Sequence, residues 1–213
     1  MSLPVGQILQ GDCLEVMKQW PDKCVDVVIT GPPYGIGIAN NPFRQKFAKA
    51  DWDNSPCSES ALLDMLRVSD NQIIWGGNYF PLPPSQCFLV WDKGQPENFS
   101  SAMCEMAWTS FRSPAKTFYK RVTEYAKVHP TQKPLELMQW CIEKYTKPTD
   151  LILDPFCGSG TTCVAAEMLG RRWIGIELDP TYCQIARDRV AAAKRGVTVS
   201  ELKNDQMSLL EQI

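Results

Sequence analysis

Two short runs of this chain carry residue types that could do chemistry. Asp154-Pro155-Phe156-Cys157-Gly158-Ser159-Gly160-Thr161-Thr162 follows the apolar run Leu151–Leu153 and leads into a helical pattern. Glycines in such a loop let the backbone approach a ligand, and the helix N-terminus that follows favours a carboxylate. Glu177 closes the next apolar run, about 20 residues on, where an acid can take ribose hydroxyls. The third glycine of a Gly-x-Gly-x-x-Gly dinucleotide loop is absent, because Cys163 stands three residues after Gly160. A glycine turn followed by a strand-ending acid is the plainer reading of the same residues. The other run is Thr30-Gly31-Pro32-Pro33-Tyr34, at the end of the β-branched stretch Val25–Thr30. Its two prolines stiffen the loop, and its tyrosine supplies an aromatic ring.

Taken in chain order, Thr30–Tyr34 first and Asp154–Thr162 second, the two runs resemble the motifs of the β-class of AdoMet-dependent DNA amino-methyltransferases. Most AdoMet methyltransferases place the glycine loop first; here the loop that resembles the catalytic Asp-Pro-Pro-Tyr motif comes first. The resemblance implies that Asp154, Phe156, Gly158, Ser159, Gly160, Thr161 and Glu177 bind S-adenosylmethionine (AdoMet), with Glu177 on the ribose. It implies that Gly31, Pro32, Pro33 and Tyr34 form the catalytic loop. An exocyclic base nitrogen is a poor nucleophile, because its lone pair is delocalised into the ring. Acceptors aimed at its N–H groups localise that pair and stabilise the developing charge. In the family the first side chain of the motif and the next backbone carbonyl are those acceptors, and the tyrosine stacks on a flipped base. Here Gly31 removes one acceptor, while Pro32 keeps its carbonyl and Tyr34 its ring. The flanking Ile29-Thr30 and Gly35-Ile36-Gly37 look like adenine-type members, so methylation of adenine N6 in DNA is the expected activity. A catalytically inactive AdoMet- and DNA-binding protein and an N4-cytosine enzyme are the alternatives. Methylation of RNA bases or protein glutamine would fit the Pro-Pro-Tyr loop but not the motif order.

Further residues are read both ways. Asp12, in Gly11-Asp12-Cys13, matches the family's acid near the AdoMet adenine, with Cys13 beside it, and is equally a helix N-cap before Leu14. His129-Pro130-Thr131-Gln132-Lys133-Pro134 resembles the element near the methionine end of AdoMet, with Lys133 in the cofactor site. It is also an X-Pro turn into a helix. Arg44, Lys46 and Lys49 form one basic cluster, and Arg112, Lys116, Lys120, Arg121 and Lys127 another. They are solvated loops and strand faces, or two arms on DNA phosphates. Trp75-Gly76-Gly77-Asn78-Tyr79-Phe80, Val90-Trp91-Asp92-Lys93 and Glu105-Met106-Ala107-Trp108 look like stretches of compact, often phage-borne members and are given no chemistry.

The elements that must position these residues alternate. Strands are expected at Val5–Leu9, Val25–Thr30, Gln72–Trp75, Cys87–Trp91, Leu151–Leu153 and Trp173–Glu177. Helices are expected at Leu14–Trp20, Ser60–Val68, Leu135–Tyr145, Thr161–Leu169 and Pro180–Arg195. Met103–Ser110 and Ala115–Lys120 alternate as an antiparallel hairpin at a sheet edge. The fold class is therefore α/β, a doubly wound, mostly parallel sheet, circularly permuted relative to the usual class I (Rossmann-like) methyltransferase. Residues 35–56, rich in Gly, Asn, Pro and charge, read as a mobile loop over the site. With 94–127 they are expected to face the substrate within one domain spanning 1–213.

Composition bounds the rest. At 213 residues the chain suits one domain, and its 44% hydrophobic content can fill a core. No apolar run approaches a membrane span, and Met1–Gly6 does not resemble a secretion signal. Nine cysteines with no Cys-x-x-Cys pair suggest reduced thiols, a cytoplasm (bacterial, or that of a phage-infected cell) and no zinc site. One histidine excludes a histidine-rich metal centre. A net charge of −2 argues for modest affinity for DNA. The sequence leaves a monomer or a homodimer open.

Overall fold

The computed structural model describes residues 2–38, 53–98, 101–126, 128 and 131–202. Among them, eight strands form one sheet, β1 (Gln7–Gln10), β2 (Val25–Thr30), β3 (Ser69–Trp75), β4 (Phe88–Asp92), β5 (Cys104–Thr109), β6 (Lys116–Tyr119), β7 (Leu151–Asp154) and β8 (Arg172–Glu177). Five α-helices accompany it: α1 (Cys13–Met17), α2 (Glu59–Val68), α3 (Leu135–Tyr145), α4 (Thr161–Met168) and α5 (Pro180–Arg195). The strand order is β1-β8-β7-β2-β3-β5-β4-β6. From β1 to β3 all neighbours are parallel.

Local chemistry explains the helix ends. The Asp179 side chain accepts from the amides of Thr181 and Tyr182, Pro180 opens α5, and Gly196 closes it in the left-handed conformation. The Ser58 hydroxyl accepts from Ala61 N at the start of α2. The first helix stops at Met17, short of the expected Trp20, and the chain continues as turns to Trp20.

Alternation along the central strands sends side chains to two cores. Val27, Ile29, Ile73, Trp75 and Ile152 pack against α3, α4 and α5 through Leu137, Met138, Val164, Ala165, Ala186 and Val190. Val28, Ile74, Leu153, Ile174 and Ile176 pack on the opposite face against α1 and α2 through Met17, Leu62, Met65 and Val68. Burying each such aliphatic side chain contributes roughly 1.5–3 kcal/mol, so the central strands are the stable frame of the site.

The expected edge hairpin is corrected. β5 does not pair with β6. It pairs antiparallel with β3 on one side and with β4 on the other, and β6 adds outside β4, parallel to it. The antiparallel pairs are therefore β3–β5 and β4–β5, and the edge strand on this side is β6. Both strands of the expected hairpin alternate, but alternation reports exposure of a face and says nothing about the partner.

β7 and β2 lie side by side with Val27 opposite Ile152 and Val28 opposite Leu153. The chain leaves β7 toward β8 on one side and β2 toward β3 on the other. This reversal of winding opens a crevice at the carboxyl ends of the two strands, where the two motifs begin.

Candidate functional site

A cavity of about 620 Å³ occupies that crevice. It is walled by Gly11, Asp12 and Cys13 after β1, by Thr30, Gly31 and Pro33 after β2, by Asp154–Ser159 after β7, and by Glu177–Pro180 after β8. Thr131, Gln132 and Lys133, just before α3, close another side. Of the residues assigned to the cofactor on resemblance, all but Gly160 line this cavity, most from the ends of β1, β7 and β8 and Lys133 from the segment before α3.

The acids of the cavity are fixed. Glu177 accepts from Gly158 N at 2.8 Å and from Asp179 N at 2.9 Å, which ties the strand-ending acid to the glycine loop. Burial raises its carboxyl above the usual range, against those two amides. Asp154 is 4% exposed and accepts from Thr30 Oγ1 at 2.7 Å and Phe156 N at 3.2 Å. Burial raises it too, opposed by the Thr162 and Thr30 hydroxyls. Asp12 caps α1 through Leu14 N at 2.8 Å, as its N-cap reading expects, and it also lines the cavity. Burial, then Asp12, pushes the Cys13 thiol up to about 12.

Three glycine-loop residues serve the frame. Gly160, at φ +79°, stands against α5: a Cβ there would meet Ala186 Cβ at 2.8 Å. Ser159 and Thr161 line the cavity and also receive Arg189, whose Nη1 lies 3.0 Å from Ser159 Oγ and 3.2 Å from Thr161 Oγ1. Sequence reading missed Arg189. Its signal was a charged residue among the buried positions Ala186, Val190 and Ala192 of α5.

The loop after β2 is held as tightly. Asp53, 1% exposed, accepts from Tyr34 N (2.8 Å) and Gly35 N (3.0 Å) with one oxygen and from Ile38 N (2.8 Å) with the other. Cys57 N donates to Pro33 O at 3.1 Å, whereas none of the described residues donates to Pro32 O. Residues 53–57 are therefore a clamp on the loop after β2. The rest of the expected loop, 39–52, with Arg44, Lys46 and Lys49, lies outside the described residues. So do Lys127, His129 and Pro130.

Tyr34 stacks on Tyr79, with ring centroids 5.1 Å apart and planes 14° from parallel. Gly76, at φ +74°, lies so close to the Tyr34 ring that a Cβ there would overlap it. This gives the Trp75–Phe80 run a role it lacked in the sequence, that of a cradle for Tyr34. The Tyr34 hydroxyl donates to Glu105 Oε2 at 3.4 Å and accepts from Lys133 Nζ at 3.1 Å. Burial, then Glu105, drives its pKa well up. Glu105 sits between Lys93 (2.7 Å) and Lys133 (3.3 Å). Burial works against its charge, but the two ammonium groups hold it down to about 2.

Gly31 faces this cluster. A Cβ on residue 31 would stand 3.0 Å from Lys133 Nζ and 3.7 Å from Trp75 Cβ, and its φ is not in the left-handed region. Lys133 thus reaches the loop after β2 as well as the cavity wall.

The second basic cluster is divided by the sheet. Lys120 and Arg121 follow β6 at the cavity end, where Lys120 Nζ meets Glu136 at 3.2 Å. Arg112 and Lys116 lie at the opposite end of the sheet, around a second cavity lined also by Asp26, Asp70, Asp150, Lys144 and Lys147.

Comparison with known proteins agrees with this geometry. A family model described as DNA methylase matches residues 90–188. The chain is 29% identical over 227 residues to YubD of Escherichia coli (strain K12), which carries the provisional name of a methylase; the match covers 94% of this chain and 97% of that protein. It is 26% identical over 236 residues to the type II methyltransferase M2.MboI of Moraxella bovis, covering 85% and 86%. Among solved structures, it resembles M1.HpyAVI in complex with SAM (TM-score 0.58, 24% identity, 86% of this chain and 98% of that chain). It also resembles the cytosine-N4-specific PvuII DNA methyltransferase (TM-score 0.60, 17% identity, 92% and 89%). The fold is the Rossmann-like class I methyltransferase fold.

Proposed function

We propose that this chain transfers a methyl group from AdoMet to the exocyclic amino group of a DNA base, with adenine N6 as the preferred acceptor. The observation that carries the reading is the contact of the two motifs at the switch point. Thr30, next to Gly31, hydrogen-bonds Asp154, the first residue of the glycine loop. The residues fit AdoMet: a half-buried acid, Glu177, ends β8, and the glycine loop opens α4. Phe156, Met138 and Tyr182 give the cavity apolar walls. When bound, AdoMet supplies a sulfonium methyl, which passes to the base nitrogen while the sulfur keeps the bonding pair.

The chain's own residues would do the rest. Glu177 would take ribose hydroxyls, and Asp12 would face the adenine end. Pro32 O, free of donors among the described residues, would accept one N–H of the base amino group. The proton that the nitrogen sheds after methylation would pass to water. Lys120 and Arg121, at the cavity end of the sheet, would meet DNA phosphates.

A second reading is favoured by one observation. At residue 31 the chain presents no acceptor, and the nearest polar atom is the donor Lys133 Nζ. On that reading the protein binds AdoMet and DNA without turnover. The deciding experiment is single-turnover methyl transfer to mixed-sequence DNA by the chain and by Gly31→Asp, with the product base identified by mass spectrometry. N6-methyladenine from either protein supports the proposed activity. N4-methylcytosine would replace the base assignment, and no product from either protein, with AdoMet bound, would leave the non-catalytic reading.

A further inference from the structure

Lys133 brings more hydrogen-bonding capacity to the cavity than the described residues use. Its side chain is 11% exposed, and its ammonium carries three donors. One meets Tyr34 OH at 3.1 Å, and another meets Glu105 Oε2 at 3.3 Å. Glu105 is not Lys133's alone, because Lys93 holds its other oxygen at the shorter distance of 2.7 Å. The nearest cavity acid, Asp154, is engaged by Thr30 and Phe156. On the side facing Gly31, Lys133 has no acceptor among the described residues. A Cβ on residue 31 would lie 3.0 Å from Nζ, so the ammonium fronts a space that any side chain there would enter.

A second donor on the same wall is also without a partner. Trp75 is 0% exposed, lines the cavity, and has its Cβ 3.7 Å from that same Cβ position. Its Nε1 is buried with no hydrogen-bond partner among the described residues. An unmatched buried donor is costly, and the Lys133 ammonium, 5.9 Å from the Trp75 ring centroid, has one proton more than its two acceptors take; together they favour an acceptor that bears charge. Nothing on the backbone of residue 31 opposes this, since its φ is ordinary.

We propose that Lys133, Gly31 and Trp75 form a binding site for a small monocarboxylate, which takes the place of a side chain at residue 31. A carboxylate there accepts from Lys133 in a charge-assisted hydrogen bond and keeps further lone pairs for the acceptor base. The binding claim stands on these residues alone; its consequence for rate rests on the proposed methyltransferase reading.

The test uses the full chain and sodium formate, exchanged for sodium chloride at constant ionic strength so that DNA contacts are unaffected. Titration of ¹³C-formate followed by NMR should show saturable binding, with a dissociation constant on the order of 10 mM for one charge-assisted contact. Gly31→Asp, which carries its own carboxylate on an unstrained backbone, should abolish binding. Lys133→Met should do the same in protein whose near-UV circular dichroism shows it folded. Saturating formate should speed single-turnover methyl transfer by about tenfold in the chain and leave Gly31→Asp unchanged, a part of the roughly 10²–10³ that one preorganised contact is worth.

The carboxylate of AdoMet is the other source of this chemistry, and it is distinguished by repeating the titration with AdoMet saturating. Formate that still binds supports the proposal. Formate expelled in proportion to AdoMet bound would assign Lys133 to the cofactor and overturn it. Absence of saturable binding, or binding that survives in Gly31→Asp, would overturn it as well. Failure of the methyltransferase reading looks different: formate binds, but neither protein transfers a methyl group.

Discussion

Thr30 and Asp154, 124 residues apart, share a buried 2.7 Å hydrogen bond across the two central strands. The bond joins the residue before the Gly31–Tyr34 loop to the first residue of the glycine loop, at the point where the sheet reverses its winding. Hydrogen bonds to charged groups are worth about 1.5–3 kcal/mol, and a buried carboxylate deprived of one is left under-solvated. Thr30→Val, close in shape, should lower unfolding stability by about that amount in denaturant titration and weaken AdoMet binding severalfold by calorimetry. Unchanged values for both would show that the two motifs are held together by the strands alone.

Glu177 is the cavity's ribose acid on this reading. Glu177→Ala should raise the AdoMet dissociation constant by the equivalent of roughly 1.5–3 kcal/mol, the worth of a charge-assisted contact. Glu177→Gln should fall between, since the amide keeps one acceptor. Calorimetry with equal affinities for all three would remove Glu177 from the site.

Gly31→Asp should raise the single-turnover rate by on the order of 10²–10³. AdoMet affinity should change little, because the restored contact is to the base. The variant should fold normally: φ is unstrained, and the group it displaces is the flexible end of Lys133. An unmodified chain already as fast as the variant would mean that another acceptor does this work.

Glu105 makes a pH prediction. Its carboxyl is held down to about 2, from 4.5, despite burial, by Lys133 and Lys93. A depressed acid contributes stability that is full above its unfolded pKa and is lost as pH falls through the folded one. Glu105→Gln should therefore be less stable than the parent at pH 7, by at most about 3 kcal/mol for a shift of this size. The gap should close between pH 4.5 and about 2. Denaturation curves of both proteins at pH 7 and pH 3 measure it, and a gap that does not narrow would contradict the ion-pair account.

The division of the second basic cluster predicts unequal effects on DNA. Replacing Lys120 and Arg121 with Gln should weaken DNA binding and flatten its dependence on salt, by roughly one unit of log–log slope for each phosphate that is no longer neutralised. Replacing Arg112 and Lys116, at the far end of the sheet, should change neither. Fluorescence anisotropy from 50 to 200 mM salt, on the order of the range where counterion release is steep, gives both quantities. Equal weakening in the two variants would mean that DNA reaches both ends of the sheet.

The motifs, their order and most elements were legible because they are local. A β-branched run such as Val25–Thr30, the glycine loop with its following helix, Asp179 and Pro180 at one end of α5 and Gly196 at the other all act within a few residues. So does the spacing that puts Glu177 at the end of the strand after the loop, where it meets Gly158. What tertiary structure decided is pairing at a distance. Alternation in β5 and β6 told which faces were covered but not that β4 would separate the two strands. Lys93, Glu105 and Lys133 look like unrelated surface charges in the sequence and become one ion cluster under Tyr34 only when β4, β5 and the segment before α3 converge. Asp53 and Arg189 likewise find backbone partners far from their own local patterns. The split of Arg112 and Lys116 from Lys120 and Arg121 has the same origin: β6 carries the chain from one end of the sheet to the other within a few residues. A residue's type sets what it can bind, but which groups it meets depends on strand order, and strand order is chosen by burial of the whole sheet rather than by any local run.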